Sequence, residues 1–435
     1  MHSRVRRQGL EKTVPRDGDE PGNSWLDSMF IVVANVVGVG VLGLAHAFAK
    51  LGWLSVSYRV VMLTCDDGSW GIITLAVTLA GSLYSGLLLT RMKTRVPQAV
   101  VYADLGYAAF GDLGQAFVTL FAYTYMTGVC LSFQLTASLF LKEMTNGLCF
   151  VYCATLVAAV VLPLAQYRNF SELTSISVIG ALSIVAPTLL IIVEVAWNGR
   201  FQPVETEWIT DAGFEAATVA CMDVVFAMAG HVFFVEIMSE MQDPRAFRHS
   251  LYCATSFLSW VYFAVAIVGY YFIGPAVLNP ITNNLSSVVV RRWCSAFVLC
   301  HIVVAYVMAV MVLARGIEDV VFLRPHEDSK HASLANRMSW FGLTSAIVFL
   351  GFLVANVLPF VNDLLGFVGA MSGVTTTFVF PFLLAPVILK DELSVMHTRA
   401  LQAVACFSCI VAVVGVVCSV HRMSNSYETR SPFSC

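Results

Sequence analysis

Charge is scarce in this sequence. Asp, Glu, Lys and Arg together make up 12% of its 435 residues, against about 25% in an ordinary soluble domain. Half the usual supply cannot coat a surface that faces water. The charges that exist form no basic stripe and no aromatic-basic interleaving, so no nucleic-acid partner is expected. The first 23 residues are polar and lack an apolar core of about 7–15 residues with a small-residue cleavage site, so no signal peptide is read there. No HExxH stands in the chain and no nucleophile sits beside a base, which argues against an enzyme. Cys406 and Cys409 form a CxxC pair without a His or acidic neighbour, so no metal and no other cofactor is expected. Most of the twelve cysteines, such as Cys130, Cys221 and Cys253, fall in apolar runs and read as small buried hydrophobes.

What is there in quantity is hydrocarbon. Apolar residues reach 58% and the mean hydropathy is +0.77. They cluster in runs near the roughly 20 residues that cross a bilayer as a helix. Eleven such runs lie at about 28–49, 71–91, 116–141, 149–167, 172–196, 215–238, 250–273, 293–314, 338–358, 362–388 and 400–420. A bilayer offers backbone groups no hydrogen bonds, so each span is a helix or a barrel strand. Barrel strands are about ten residues long and alternate polar with apolar. These runs do neither. The sequence therefore predicts an all-α integral membrane protein of about eleven helices, with residues 1–27 as a cytosolic tail, 28–420 as the membrane domain and 421–435 as a short tail.

Lysine and arginine set the orientation. With the N-terminus inside, the inner segments hold 17 of them and the outer segments 8, which favours a cytosolic N-terminus. The sequon Asn284-Leu285-Ser286 then lies outside.

Two spans carry features that a plain membrane anchor does not need. Span 1 holds Asn35, Gly38, Gly40 and Gly43. The GxGxxG spacing there follows no strand and lies at bilayer depth, so it is no dinucleotide fingerprint. Glycine weakens a helix by up to about 1 kcal/mol each. Three in six residues favour an unwound segment whose amides receive an anion, over close helix packing through small residues. Span 6 holds Asp223, Gly230, His231, Glu236 and Glu240. Ionisable residues inside a membrane span usually face the bundle interior and mark an ion or substrate path. Their alternatives are a hydrogen-bonded packing residue for His231 and a helix partner for Glu236. Two glycine-bearing spans at equivalent places suggest two five-helix repeats with a site between them.

Three stretches resemble one family. Gly38-Val-Gly40-Val-Leu-Gly43-Leu-Ala-His46-Ala-Phe-Ala-Lys50-Leu-Gly52-Trp53 is similar to the first-helix signature of the amino acid/auxin permeases. Phe226-Ala-Met-Ala-Gly230-His231 with Val235-Glu236-Ile237, and Val268-Gly269-Tyr270-Tyr271-Phe272-Ile273-Gly274, resemble its lysine/histidine-transporter-like branch. The resemblance implies an inverted five-plus-five fold with helices 1 and 6 broken. It also implies uptake of amino acids, usually coupled to protons. The sequence departs from the family at residues 54–69, a polar insert between spans 1 and 2.

The resulting expectation is a proton-coupled symporter of neutral or broad-range amino acids, with the plasma membrane favoured over a vacuolar or lysosomal one. Its alternatives are sodium coupling and a non-transporting amino acid sensor. Gly38, Val39 and Gly40 offer amides to the substrate carboxylate, Asn35 lines the pocket, and Gly230 and His231 form the opposite wall. Tyr123 or Tyr125 of span 3 closes over the substrate. Asp223 and Glu236 are the candidates for proton coupling. Sodium would need hydroxyls and carbonyls from spans 1 and 8, yet span 8 has Ser295 near its outer end and no Ser or Thr deeper. Gly369 and Gly373 of span 10 form a GxxxG face for gating or close packing.

Overall fold

A computed structural model describes residues 22–53, 71–145, 147–199, 204–207, 210, 212–318, 333–357 and 361–427. The insert at 54–69 and nearly all of the N-terminal tail lie outside them. Among the described residues the chain is helical, with one isolated bridge between Asn23 and Met241. Nine helices among the described residues are long and apolar enough to cross a membrane, a bent pair supplies one more span, and Phe150–Leu164 is a shorter apolar helix. Each of the eleven apolar runs read from sequence falls on one of these elements, and ten of the elements have the length and hydropathy of a span.

Helix 1 opens with a reciprocal cap. Ser24 Oγ accepts from Asp27 N at 3.2 Å, and Asp27 Oδ2 accepts from Ser24 N at 3.0 Å, which satisfies two of the amides that a helix start leaves open. The helix runs as α1a (Trp25–Val36), passes through Val37 and Gly38, and resumes as a 3-10 turn (Val39–Gly43) and α1b (Leu44–Leu51). The two halves are bent by 49°. Helix 2 (α2) is Gly71–Arg95. Helix 3 (α3) is Tyr102–Met144 and contains a kink at Phe110 and Gly111. Gly111 has φ +64°, which only glycine adopts without cost. The sequence-derived span 116–141 is the leg after that kink, and Tyr102 to Phe110 form a leg before it.

The remaining helices are α4 (Phe150–Leu164), α5 (Phe170–Ser183, continued by Val185–Gly199), α6a (Gly213–Met228), α6b (His231–Ser239), α7 (Phe247–Ile273), α8 (Val288–Ile317), α9 (Leu334–Val357), α10 (Leu364–Ile388) and α11 (Val395–Tyr427). The first helix of each five-helix half is the broken one. Burial separates centre from rim: 89% of the apolar window of helix 6 and 72% of those of α8 and α10 are buried, but only 33% of those of α9 and α11. The rim helices turn large apolar side chains such as Trp197, Phe349 and Ile410 outward, which hydrocarbon accepts and water would not.

Helix 10 is wound as π-helix over Gly369–Gly373 and Thr375–Val379. A Cβ on Gly369 would lie 2.6 Å from Met222 O, so this glycine lets α10 press against the backbone of α6a. The buried-hydrophobe reading holds for Cys130, Cys153 and Cys294, but Cys253, Cys300, Cys406 and Cys409 are exposed on the outer faces of their helices, and Cys149, at the start of α4, is disulfide-bonded. Disulfides persist in oxidising compartments, and Cys149 falls in a segment that the charge count puts outside.

Candidate substrate site between the broken helices

The breaks in helices 1 and 6 touch. A Cβ on Gly40 would lie 2.8 Å from Ala227 Cα, and one on Gly230 would lie 2.5 Å from Val36 Cγ2. Glycine at 40 lets the two backbones meet at bilayer depth, and glycine at 230 leaves room for the Val36 side chain. Around this contact lies a small cavity lined by Asn35, Gly38, Gly40, Tyr125, Phe133, Phe226 and Phe233, among others. Among the described residues, no charged side chain lines it.

Breaking a helix frees carbonyls that a membrane interior cannot satisfy. Side chains from three other helices take them up. Tyr262 of α7 donates to Ala227 O at 2.6 Å and lies 3.2 Å from Val36 O, so one hydroxyl serves both breaks. Tyr125 of α3 donates to Ala229 O. His301 of α8 contacts Val37 O through Nε2 and Gly180 O of α5 through Nδ1, the latter at 2.7 Å.

Asn35 sits in the last turn of α1a. Its Nδ2 donates to Ile31 O at 2.9 Å and lies 3.4 Å from Met308 Sδ. Its Oδ1 is buried without a hydrogen-bond partner while the residue lines the cavity. A buried acceptor left unmatched costs roughly 1–3 kcal/mol, so an unmatched one at a cavity wall is a natural contact for a donor on a ligand. Beyond Gly38, the amides that open the turn Val39–Gly43 have no intrahelical acceptor, as at any helix start.

The other residues singled out from sequence lie elsewhere. Tyr123 does not line the cavity. It packs against Gly316 of α8, where a Cβ would lie 2.4 Å from its ring, and the tyrosine at the cavity is Tyr125. His231 is fully buried and turned toward α2, with Nε2 at 2.7 Å from Ser85 Oγ and 2.9 Å from Ser82 O. Gly230 packs on Val36, and the wall facing Gly40 is made by Ala227. Asp223 points to α10, with Oδ1 3.4 Å from where a Cβ of Gly366 would be. Glu236 lies beside Arg315 at the end of α8, at 3.7 Å. Arg315 also binds Glu240 Oε1 at 2.8 Å, Asn169 Oδ1 at 2.6 Å and Arg168 O at 2.6 Å. This cluster closes one end of the bundle.

Tyr262 and His301 were not picked out in the sequence. The signal for His301 was present, an ionisable residue in the middle of an apolar span. For Tyr262 there was none, since a tyrosine in an apolar helix reads as packing.

Comparison with known proteins fits this geometry. The family described as "Transmembrane amino acid transporter protein" matches residues 21–423. "Amino acid transporter AVT1D" of Arabidopsis thaliana is 23% identical over 408 residues, which cover 89% of this chain and 68% of that one. "Amino acid transporter AVT1I" of the same plant is 24% identical, over 83% of this chain and 85% of its own. The "N amino acid transport system protein" of Neurospora crassa is 20% identical, over 94% and 88%. Among solved structures, a substrate-bound, outward-open Na+-coupled sialic acid symporter superposes with a TM-score of 0.57 at 12% identity, over 99% of this chain and 96% of that one. MhsT in complex with L-phenylalanine superposes with a TM-score of 0.52, also at 12% identity, over 92% and 100%. The fold is therefore the inverted five-plus-five transporter fold, and the chain belongs to the transmembrane amino acid transporter family.

Proposed function

We propose that this protein is a proton-coupled symporter of neutral amino acids, with its substrate held between the breaks of helices 1 and 6. The observation that carries the reading is the pairing of Asn35 Oδ1, a buried acceptor without a partner, with the open amides that follow Gly38. An α-amino acid presents an ammonium and a carboxylate about two bonds apart. Asn35 Oδ1 suits the first. The amides at Val39 and Gly40 suit the second, because the start of a helix carries partial positive charge. Phe133, Phe226 and Phe233 offer an apolar lining for the side chain. A charged side chain would find no counter-ion there, which selects neutral substrates.

Coupling to protons rather than sodium is supported at the contact of helices 1 and 8. A sodium site there would be built from hydroxyl and carbonyl oxygens. Instead the imidazole of His301 faces Val37 O, and Ser295 is engaged with Glu143 Oε2 at 3.1 Å. The reading puts the end closed by Arg315 in the cytosol, and the chain in the plasma membrane. A fluorescent fusion imaged in intact cells tests the location.

The test of function is uptake by liposomes containing the purified full-length protein. With a 14C-labelled mixture of amino acids outside, an inward proton gradient should drive accumulation at least tenfold above the no-gradient level. Unlabelled neutral amino acids should compete, and lysine and glutamate should not. Accumulation that follows a sodium gradient and ignores the proton gradient would replace this reading with its sodium-coupled alternative.

A further inference from the structure

We propose that His301 is the residue that carries the coupled proton. The proposal rests on the proton-coupled reading above and deepens it. His301 lies in the middle of α8 and is 1% exposed. Both of its ring nitrogens face carbonyl oxygens: Nδ1 faces Gly180 O of α5, and Nε2 faces Val37 O in the break of helix 1. A carbonyl only accepts. A neutral imidazole has one N–H and one lone pair, whereas an imidazolium has two N–H groups. With the neutral ring, one nitrogen lone pair would point at an oxygen lone pair. The arrangement is fully bonded only when the ring is protonated.

One feature of the backbone acts in the same direction as these two carbonyls, against the cost of burying a charge. Val37 caps the C-terminus of α1a, the end of a helix where cations are stabilised. Around α8, α9 carries Arg337 near its start and α4 carries the outward-facing Tyr152. Helix α3 adds the buried Cys130 and Tyr125, the latter bound to Ala229 O. The carboxylates Asp27, Glu143 and Glu194 on α1a, α3 and α5 have partners of their own. On α1a, Asp27 caps the helix at Ser24. On α3, Glu143 pairs with Arg291, and Tyr123 packs on Gly316. On α5, Glu194 accepts from Ser287 N. The remaining ring of note is Tyr306 on α8 itself, more than one turn away, whose hydroxyl lies 2.8 Å from where a Cβ of Gly351 would be.

The coupling follows from where Val37 sits. Asn35 and Gly38, which line the cavity, flank it in one short segment. Proton and substrate therefore act on the same stretch of backbone. With the ring protonated, Nε2–H holds Val37 O and the segment stays docked on α8. When α1a swings away from α8, Nε2–H loses its acceptor and meets water. The N–H bond then breaks, the electron pair stays on Nε2, and the proton leaves to that side, while Nδ1–H keeps Gly180 O. The next proton enters from the opposite side when the segment returns.

The experiment compares wild type with His301→Gln in liposomes, using the labelled amino acid mixture. Exchange of external label for internal unlabelled amino acids should persist in the variant, within about threefold of wild type. Accumulation driven by the proton gradient should fall at least tenfold, to the no-gradient level, and exchange should lose its dependence on pH. His301→Lys, which keeps a cationic donor toward Val37 O, should exchange and likewise fail to respond to the proton gradient. Gradient-driven accumulation at the wild-type level by either variant overturns the proposal, and so does failure of both to fold, because His301 is then a structural residue. If wild type itself exchanges without responding to a proton gradient, the proton-coupled reading fails first and takes this assignment with it.

Discussion

Glu236 on α6b and Arg315 at the end of α8 stand 3.7 Å apart with both side chains about nine-tenths buried, and the same guanidinium holds Glu240 at 2.8 Å. One arginine thus serves two carboxylates and the turn between α4 and α5, through Arg168 O and Asn169 Oδ1. The cluster ties the second half of the broken helix 6 to a central helix. Removing one partner of a buried ion pair costs about 3–5 kcal/mol, because the other is left without compensation. Arg315→Gln should therefore lower the thermal midpoint of the detergent-purified protein markedly, and Arg315→Lys should recover part of the loss. An unchanged midpoint in Arg315→Gln would show that the cluster carries no stability.

Glu236 then reads as an ion-pair partner more than as a proton carrier. Glu236→Gln leaves the Arg315–Glu240 pair in place. It should retain pH-driven accumulation within about threefold of wild type. Asp223→Asn, changed on the side of helix 6 that faces α10, should do the same. A variant that exchanges amino acids normally and no longer accumulates them would move the coupling role to that carboxylate and away from His301.

The contact between the two breaks gives a steric prediction. Gly40→Val puts side-chain atoms where Ala227 already stands, since even a Cβ would lie 2.8 Å from Ala227 Cα. Transport should fall at least a hundredfold. Gly342→Ala on α9, where a Cβ would meet nothing within 4 Å, should transport normally. Labelled amino acid uptake at matched protein levels distinguishes them, and a Gly40→Val variant with wild-type uptake would mean that the breaks do not meet during the cycle.

Asn35 should act on substrate affinity. Asn35→Leu removes the buried Oδ1 offered to the ammonium. A lost hydrogen bond to a charged group is worth roughly 1.5–3 kcal/mol, so KM should rise about tenfold or more. Carboxylic acids that lack the α-amine should compete equally with label in wild type and variant. Equal KM values for the amino acid substrate in both proteins would remove Asn35 from the site.

The hydroxyl of Tyr262 should matter more than that of Tyr125. Tyr262→Phe strips a donor from carbonyls in both breaks, whereas Tyr125→Phe strips one from Ala229 O only. Each unmatched buried carbonyl costs roughly 1–3 kcal/mol. Thermal midpoints of the two variants should both fall, with Tyr262→Phe the lower. The reverse order would place the main support of the breaks on α3.

Much of this architecture was legible in the residues. All eleven apolar runs fold as helix because a bilayer permits little else, ten of them at full spanning length, and the glycines at 38, 40 and 230 marked breaks because glycine gives up helix cheaply. The choice of face was not legible. Tyr123 and Tyr125 are two residues apart on one helix, hence about 200° around it. A helix buried on most sides has no apolar stripe to say which face looks inward. His231 stands next to a break, yet its side chain leaves toward Ser85 on α2. Glu236 finds its partner in Arg315, two helices later in the chain, and spacing within one helix carries no trace of that. Arg324 is one of the 17 basic residues counted in the inner segments, and it lies outside the described residues.

Helix 4 has a consequence for the membrane rather than for the substrate. At fifteen residues it spans about 22 Å, against a hydrocarbon core of about 30 Å. Tyr152, Leu156 and Val160 lie along its outer face, so lipid must meet this short helix directly. Acyl chains there have to shorten or tilt, at a cost of a fraction of a kcal/mol for each ångström of mismatch. The surrounding bilayer is thus part of the protein's working environment on that side. Short-chain lipids should gather beside helix 4 and longer ones around the rest of the rim.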